Sequence, residues 1–229
     1  MSSAYEDVLF DPALNQNWHM QFSERAALLH VLSRLRPEIS IEIGTFQCGS
    51  LRPIAAASKR VFTFDIDENQ HRISPLFPNV TFVTGDSATT LPPIIDQLNE
   101  GREDVNFILV DGSHEESGVR SDLLQCARYV PKRRPTMILA HDSANPIVRT
   151  GILTVPWNDF PHVHTVDLDF VPGMLYDRPD INGQIWGGLA AVLMMPERRE
   201  GQVMITTQFE PSRQALLEKS VYRNSNTNT

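Results

Sequence analysis

Cysteine is nearly absent from this chain of 229 residues: Cys48 and Cys126 are the only two, too few for a disulfide framework or a four-thiolate zinc site. A reducing cytoplasm is the expected setting. Positive charge is also scarce. Twenty lysines and arginines face twenty-eight acids, and a net charge of -8 argues against a broad surface for nucleic-acid phosphates. Long apolar runs are missing, since the longest, Leu189 to Met195, falls far short of the ~20 residues that cross a bilayer. The N-terminus, Met-Ser-Ser-Ala-Tyr-Glu-Asp, is acidic where a signal peptide would be basic. Nucleic-acid coats, membrane proteins and secreted cystine-rich scaffolds are therefore poor fits. What remains is ordinary globular composition, 41% hydrophobic and 21% charged, at a length that buries a core without staples.

Short apolar runs alternate with amphipathic ones, the signature of a parallel sheet covered by helices. Ser23 is read as the N-cap of a helix over 24–35, ended by Pro37. Strands are predicted at 39–43, 60–64, 80–83, 106–110 and 136–140. Helices are expected after the turn 44–49, around 94–98 and over 119–129. Acids follow three of the strands, at Asp65, Asp111 and Asp142. A charge sits poorly inside a sheet buried on both faces, so these carboxylates belong at its carboxyl edge, where such folds bind ligands. Further on, 163–170 and 188–195 read as a late antiparallel hairpin, and 172–184 as an inserted loop able to form part of a lid. A terminal helix is predicted over 211–221. The expected organisation is an accessory segment over 1–22, one domain over 23–222 and a disordered tail over 223–229.

The first strand runs into Glu42-Ile43-Gly44-Thr45-Phe46-Gln47-Cys48-Gly49-Ser50. Gly44 permits a sharp turn close to a ligand, and Gly49 opens a helix whose amides suit an anion. The glycine spacing is G-x-x-x-x-G, not the dinucleotide G-x-G-x-x-G, and the Lys-Ser/Thr of a phosphate-cradling loop is missing. Both nucleotide readings fail. Glu42 either orders this loop or touches the ligand, and Cys48 reads as a small space-filler.

Glu42-x-Gly44-Thr45-x-x-x-Gly49-Ser50 resembles the first motif of the class I S-adenosylmethionine-dependent methyltransferases. The likeness continues through Asp65, Gly85-Asp86-Ser87 and Asp111, and covers about residues 23–195. It implies a Rossmann-like three-layer sandwich with a mostly parallel seven-stranded sheet and an antiparallel C-terminal hairpin. It also implies that Glu42, Gly44, Thr45, Gly49 and Ser50 border the methionine part of the cofactor. Asp65 would hold the ribose hydroxyls, and Asp86 or Ser87 would lie near the adenine.

Asp111-Gly-Ser-His114 and His141-Asp142-Ser143 resemble the metal-dependent O-methyltransferases, especially those acting on macrolide sugars. That likeness makes Asp111 and Asp142 ligands of a divalent ion such as Mg²⁺ and His114 the base that deprotonates a small hydroxylated acceptor. Ser143 stands where the catechol-type enzymes have an Asn ligand, so a third ligand stays unassigned. Asp111 alternatively orients the cofactor's amino group or caps the next helix. His141 is read as a loop support, and Arg120 and Asp122 as solvated helix charges. His30, His71, His162 and His164 have no chemical company, and Met194, Met195 and the tryptophans are read as packing. The rival functions are a metal-independent methyltransferase, a catalytically silent cofactor-binding subunit and, last, an oxygen-using enzyme. A homo-oligomer is compatible with all of them.

Overall fold

A computed structural model of the chain describes residues 17–69 and 76–223. In chain order the elements are α1 (Phe22–Leu35), β1 (Ile39–Ile43), α2 (Leu51–Ala57), β2 (Arg60–Asp65), β3 (Val80–Thr84), α3 (Ser87–Glu100), β4 (Val105–Val110) and α4 (Glu116–Ala127). They continue with β5 (Thr136–His141), α5 (Pro146–Leu153), β6 (Val163–Val171), β7 (Met174–Leu175), β8 (Ile185–Trp186), β9 (Leu189–Met194), β10 (Met204–Thr206) and α6 (Glu210–Lys219).

Strands β1 and β4 are buried at every position, and alternation, interrupted by a register shift after Val105, decides which layer each side chain enters. Ile39, Ile41, Ile43, Ile108 and Val110 meet Leu91 and Ile95 of α3, Val119 and Leu123 of α4, and Val148 and Ile152 of α5. Phe107 and Leu109, pointing the other way, meet Leu28 and Leu32 of α1 and Leu51 and Ile54 of α2. The result is a helix–sheet–helix sandwich. Truncating a side chain such as Leu109, with no exposed surface, to alanine costs about 2–5 kcal/mol through lost transfer energy and the cavity left behind.

The strand order is β10-β6-β9-β5-β4-β1-β2-β3, all parallel except β9, which runs antiparallel to both β5 and β6. The chain winds outward from β1 through β2 and β3, then returns to add β4 on the other side of β1. That reversal opens a crevice at the carboxyl ends of β1 and β4. The Rossmann-like architecture and its antiparallel C-terminal hairpin stand as expected. The count is eight strands, not seven, because Met204–Thr206 pairs in parallel with β6 at the sheet's edge. Three exposed or half-exposed residues carry no readable periodicity.

Other boundaries differ as well. Helix α1 starts at Phe22, and its first turn is closed by Gln21 with Glu24, not by Ser23. Helix α5, capped by the Asn145 side chain on the Ile147 amide, has no counterpart among the predicted elements. The segment 172–184, expected as a loop, contains β7, which pairs antiparallel with β8 just beyond it. His71, residues 1–16 of the accessory segment and residues 224–229 of the tail lie outside the described residues. No described helix is long and apolar enough to cross a membrane.

Candidate active site

The crevice is a cleft of about 730 Å³, lined from the tips of β1 to β5 and from residues 17–20. Its volume is in the range of small-molecule and cofactor sites. The loop after β1 forms one wall. Gly44 has φ +94, and a Cβ there would fall 2.1 Å from the Asp111 carbonyl oxygen, so only glycine lets this loop turn against the exit of β4. At Gly49 a Cβ would lie 2.5 Å from the Asn17 carbonyl, because the segment before α1 crosses the loop there. Gly44, Thr45, Gly49 and Ser50 all face the cleft.

Glu42 does not line the cleft. It is fully buried beneath the loop, where its carboxyl accepts hydrogen bonds from Ser50 Oγ and Thr63 Oγ1, each at 2.7 Å. Thr45 Oγ1 joins the same network 2.6 Å from Thr63 Oγ1. Burial without a cation pushes the Glu42 pKa up to about 8, against the pull of the two hydroxyls. Of the two readings of Glu42, loop organiser is the one its position supports, acting through hydroxyls.

Asp65, at the tip of β2, is half-buried at the lip of the cleft. Its Oδ2 accepts the Phe46 amide at 2.8 Å and its Oδ1 the Asp67 amide at 2.9 Å, which ties the β1 loop to β2. After β3, Asp86 caps α3 by accepting the Ala88 amide at 2.9 Å. Ser87 faces the cleft and donates to Asp122 Oδ1 at 2.6 Å. Asp122 corrects an expectation: this side chain is buried, and desolvation raises its pKa to about 6. A helix pattern shows which face is apolar, but it does not show a carboxylate turned under a neighbouring loop.

At the other end, β4 and β5 deliver Asp111, His141 and Asp142 to one point. His141 Nδ1 lies 2.9 Å from Asp111 Oδ1 and 3.4 Å from Asp142 Oδ2, and its Nε2 lies 3.3 Å from Glu24 Oε2. Burial alone would lower the His141 pKa, but the Asp111, Asp142 and Glu24 carboxylates outweigh it and hold it well above the ordinary value. His114 Nε2 sits 3.0 Å from Asp142 Oδ2 and 3.9 Å from Asp111 Oδ1. The hydrogen bond to Asp142 raises the His114 pKa. Asp142 itself is driven up by burial and down by His141 and His114, with a net lowering. It has φ +57, a left-handed conformation that aspartate tolerates better than most, and its Oδ1 accepts the Gly187 amide at 2.6 Å.

The donor atoms of Asp111, His141 and Asp142 all lie within 4.8 Å of one another, a spacing that one divalent ion spans. His141, read from the sequence as a loop support, makes such bonds to Asp111 and Glu24 and also stands beside the two expected ligands. Sequence reasoning misses Glu24 altogether. It is fully buried, takes the Gln21 amide at 2.5 Å and also bonds the Gly188 amide and His141. Its sequence signal is the capping-box position, which explains the Gln21 contact but not the reach into the cleft. Trp186 packs edge-on against the His114 ring at 5.4 Å between centroids. His162 and His164 bond the Met195 and Glu197 carbonyls, away from the cleft.

Residues 41–143 match the model of a methyltransferase domain family. Among solved structures, the chain is similar to Rv0187 from MTB in cofactor-bound form (TM-score 0.55, 15% identity, 85% of this chain and 96% of that one). It is similar also to an O-methyltransferase from Bacillus cereus in complex with SAH (TM-score 0.54, 17% identity, 84% and 91% covered). A third is TomG from Streptomyces achromogenes, an O-methyltransferase of tomaymycin synthesis in complex with SAM (TM-score 0.51, 14% identity, 76% and 80% covered). None of the curated proteins compared matches the sequence. The strand order matches the fold of these methyltransferases, with the glycine loop and the acids gathered at the strand tips. Residues 41–143 carry a methyltransferase domain, set in a Rossmann-like methyltransferase fold.

Proposed function

We propose that this protein transfers the methyl group of S-adenosylmethionine to a hydroxyl of a small acceptor, with His114 as the base. The observation that carries the reading is the pairing of His114 Nε2 with Asp142 at 3.0 Å, at the mouth of a cleft whose other end holds the cofactor motifs. Methyl transfer is an in-line displacement whose electrophile is already activated as a sulfonium. The protein's tasks are to align the acceptor oxygen and to take its proton. A carboxylate at Nε2 keeps that nitrogen protonated and leaves Nδ1 as the basic atom, on a side chain 48% exposed and open to an acceptor. On the cofactor side, Asp65 has lone pairs left on both oxygens after its two amide bonds, suited to a pair of ribose hydroxyls.

The donor set also fits a divalent ion, held by Asp111, Asp142 and His141. When bound, such an ion lowers the pKa of an acceptor hydroxyl and orients it. With His141 Nδ1 as ligand, the Nε2 proton points to Glu24, the arrangement in which a carboxylate fixes the tautomer of a metal-bound histidine. One imidazole among the donors favours Mn²⁺ or another transition ion over Mg²⁺.

The metal-independent reading keeps a specific observation of its own, because His141 finds carboxylate partners at both nitrogens without any ion. Chelation followed by metal add-back separates the two. The metal reading expects activity to vanish and to return at lower concentrations of Mn²⁺ than of Mg²⁺. It also expects Asp142→Asn to shift the metal titration at least tenfold. Activity untouched by chelation leaves His114 with Asp142 as the whole proton-transfer apparatus.

A further inference from the structure

Asp122 is a buried carboxylate that the chemistry above does not use. Its residue is 3% exposed, and it sits on α4 under the floor of the cleft, where its Oδ2 is 3.6 Å from the position of a Cβ on Gly112. Among the described residues, the hydrogen bond that reaches its side chain comes from Ser87 Oγ at 2.6 Å, and Ser87 lines the cleft beside Asp86 and Gly112. The charged group that most affects it is another acid, Asp86, so no cation among the described residues explains why a carboxylate is kept there. Burying an ionisable group costs free energy, and a neutral amide or a methyl would pack in its place.

What a carboxylate does that those groups do not is fix the direction of a hydroxyl proton. Ionised, it is an acceptor only, so Ser87 must point its single proton inward. Its lone pairs are then what Ser87 Oγ has left to offer a ligand in the cleft it lines. A serine locked this way accepts hydrogen bonds from a ligand and donates none.

We propose that Asp122 sets the polarity of Ser87 so that the nucleobase end of the cleft selects a 6-aminopurine over a 6-oxopurine. The inference rests on the cofactor reading and deepens it. Adenine presents an N–H donor at its six-position and is received by the Ser87 lone pairs. Hypoxanthine presents a carbonyl there, which would face those lone pairs with no proton between them. A site built to pair with a donor rejects its acceptor analogue because both groups are left desolvated and unpaired. At pH 8, above the raised Asp122 value of about 6, the carboxylate is ionised and the lock is engaged.

The test is calorimetric binding of S-adenosylhomocysteine and S-inosylhomocysteine at pH 8 to the full chain, read as the ratio of the two dissociation constants. The wild-type protein is expected to favour the adenosyl compound at least tenfold. Asp122→Ala frees the Ser87 proton to turn outward, and the ratio should fall to within about threefold. Ser87→Ala should lower it as far, and the double variant no further. The ratio within one variant cancels a general loosening of the loop, which would weaken both ligands together. A preference kept intact in Asp122→Ala overturns the proposal; should that variant fail to fold, a preference kept in Ser87→Ala does the same. Binding of neither compound by the wild-type protein would instead remove the cofactor reading beneath it.

Discussion

The two ends of the cleft each bury a carboxylate, and they do opposite things with it. Under the β1 loop, Glu42 meets only hydroxyls, and burial pushes it up to about 8. At the tips of β4 and β5, Asp142 is nearly as buried but stands between His141 and His114, and its pKa falls. The first end is a scaffold that holds a loop in shape with a neutral acid. The second is a charged cluster in which protons or a cation are shared among facing groups. Desolvation acts on both, so the difference lies in whether a positive partner is within reach.

Removing His114 should give the largest effect. His114→Ala is expected to lower turnover by ~10²–10⁴, the span for a lost general base, while S-adenosylhomocysteine affinity stays within about twofold. A turnover loss under tenfold at saturating acceptor would mean that the charged end holds no base at all. The contrast between the ends would then be one of structure only.

Glu42→Gln probes the other end through stability. The folded pKa of about 8 lies above the unfolded value of 4.5, so the folded state holds this proton more tightly. Its contribution is fully present below about pH 4.5 and is lost as pH rises toward 8. The loss approaches ~5 kcal/mol as an upper bound, since each tenfold gain in proton affinity on folding is worth about 1.36 kcal/mol. Glutamine keeps the bonds to Ser50 and Thr63 without a titrating proton. Denaturation curves from pH 5 to 8.5 should therefore fall more steeply for the wild-type protein than for the variant. Parallel curves would show that Glu42 is stabilised as an anion, like Asp142.

What can be read from the sequence divides along the same line. β4 announces itself because a strand buried on both faces is almost wholly apolar, β1 by its three alternating isoleucines, and Gly44, Asp65 and Asp111 because each stands where a strand stops. The scaffold end is thus nearly complete in the sequence, lacking only that Glu42 works from beneath the loop. The charged end is half legible. Asp111, His114 and Asp142 stand out, but the role of His141 depends on Glu24, 117 residues away in the chain. Glu24 in turn bonds the Gly188 amide across 164 residues. No local spacing encodes such contacts. Asp122 passes for a solvated charge for the same reason, because its partner Ser87 belongs to a different helix.

Asp65→Ala should have a smaller effect, weakening S-adenosylhomocysteine binding by ~1.5–3 kcal/mol, the scale of lost hydrogen bonds to a charged group. Part of that loss reflects the loop, since Asp65 also holds the Phe46 amide. Asp65→Asn keeps one acceptor oxygen and should lose less. Equal losses in the two variants would mean that the negative charge, not the bond to Phe46, does the holding.

Asp86→Ala should change least, and it sharpens which of two adjacent residues meets the cofactor. The Asp86 carboxylate is already engaged as the cap of α3 through the Ala88 amide, and the residue is exposed. An N-cap lost to alanine costs ~0.5–2 kcal/mol of stability. If capping is its main task, affinity for S-adenosylhomocysteine should stay within about threefold while the unfolding midpoint drops. The reverse pattern, a tenfold loss of affinity with an unchanged midpoint, would move the nucleobase contact from Ser87 to Asp86. It would also leave the buried Asp122 carboxylate as part of the scaffold, a second Glu42 supporting a loop it does not itself present to ligand.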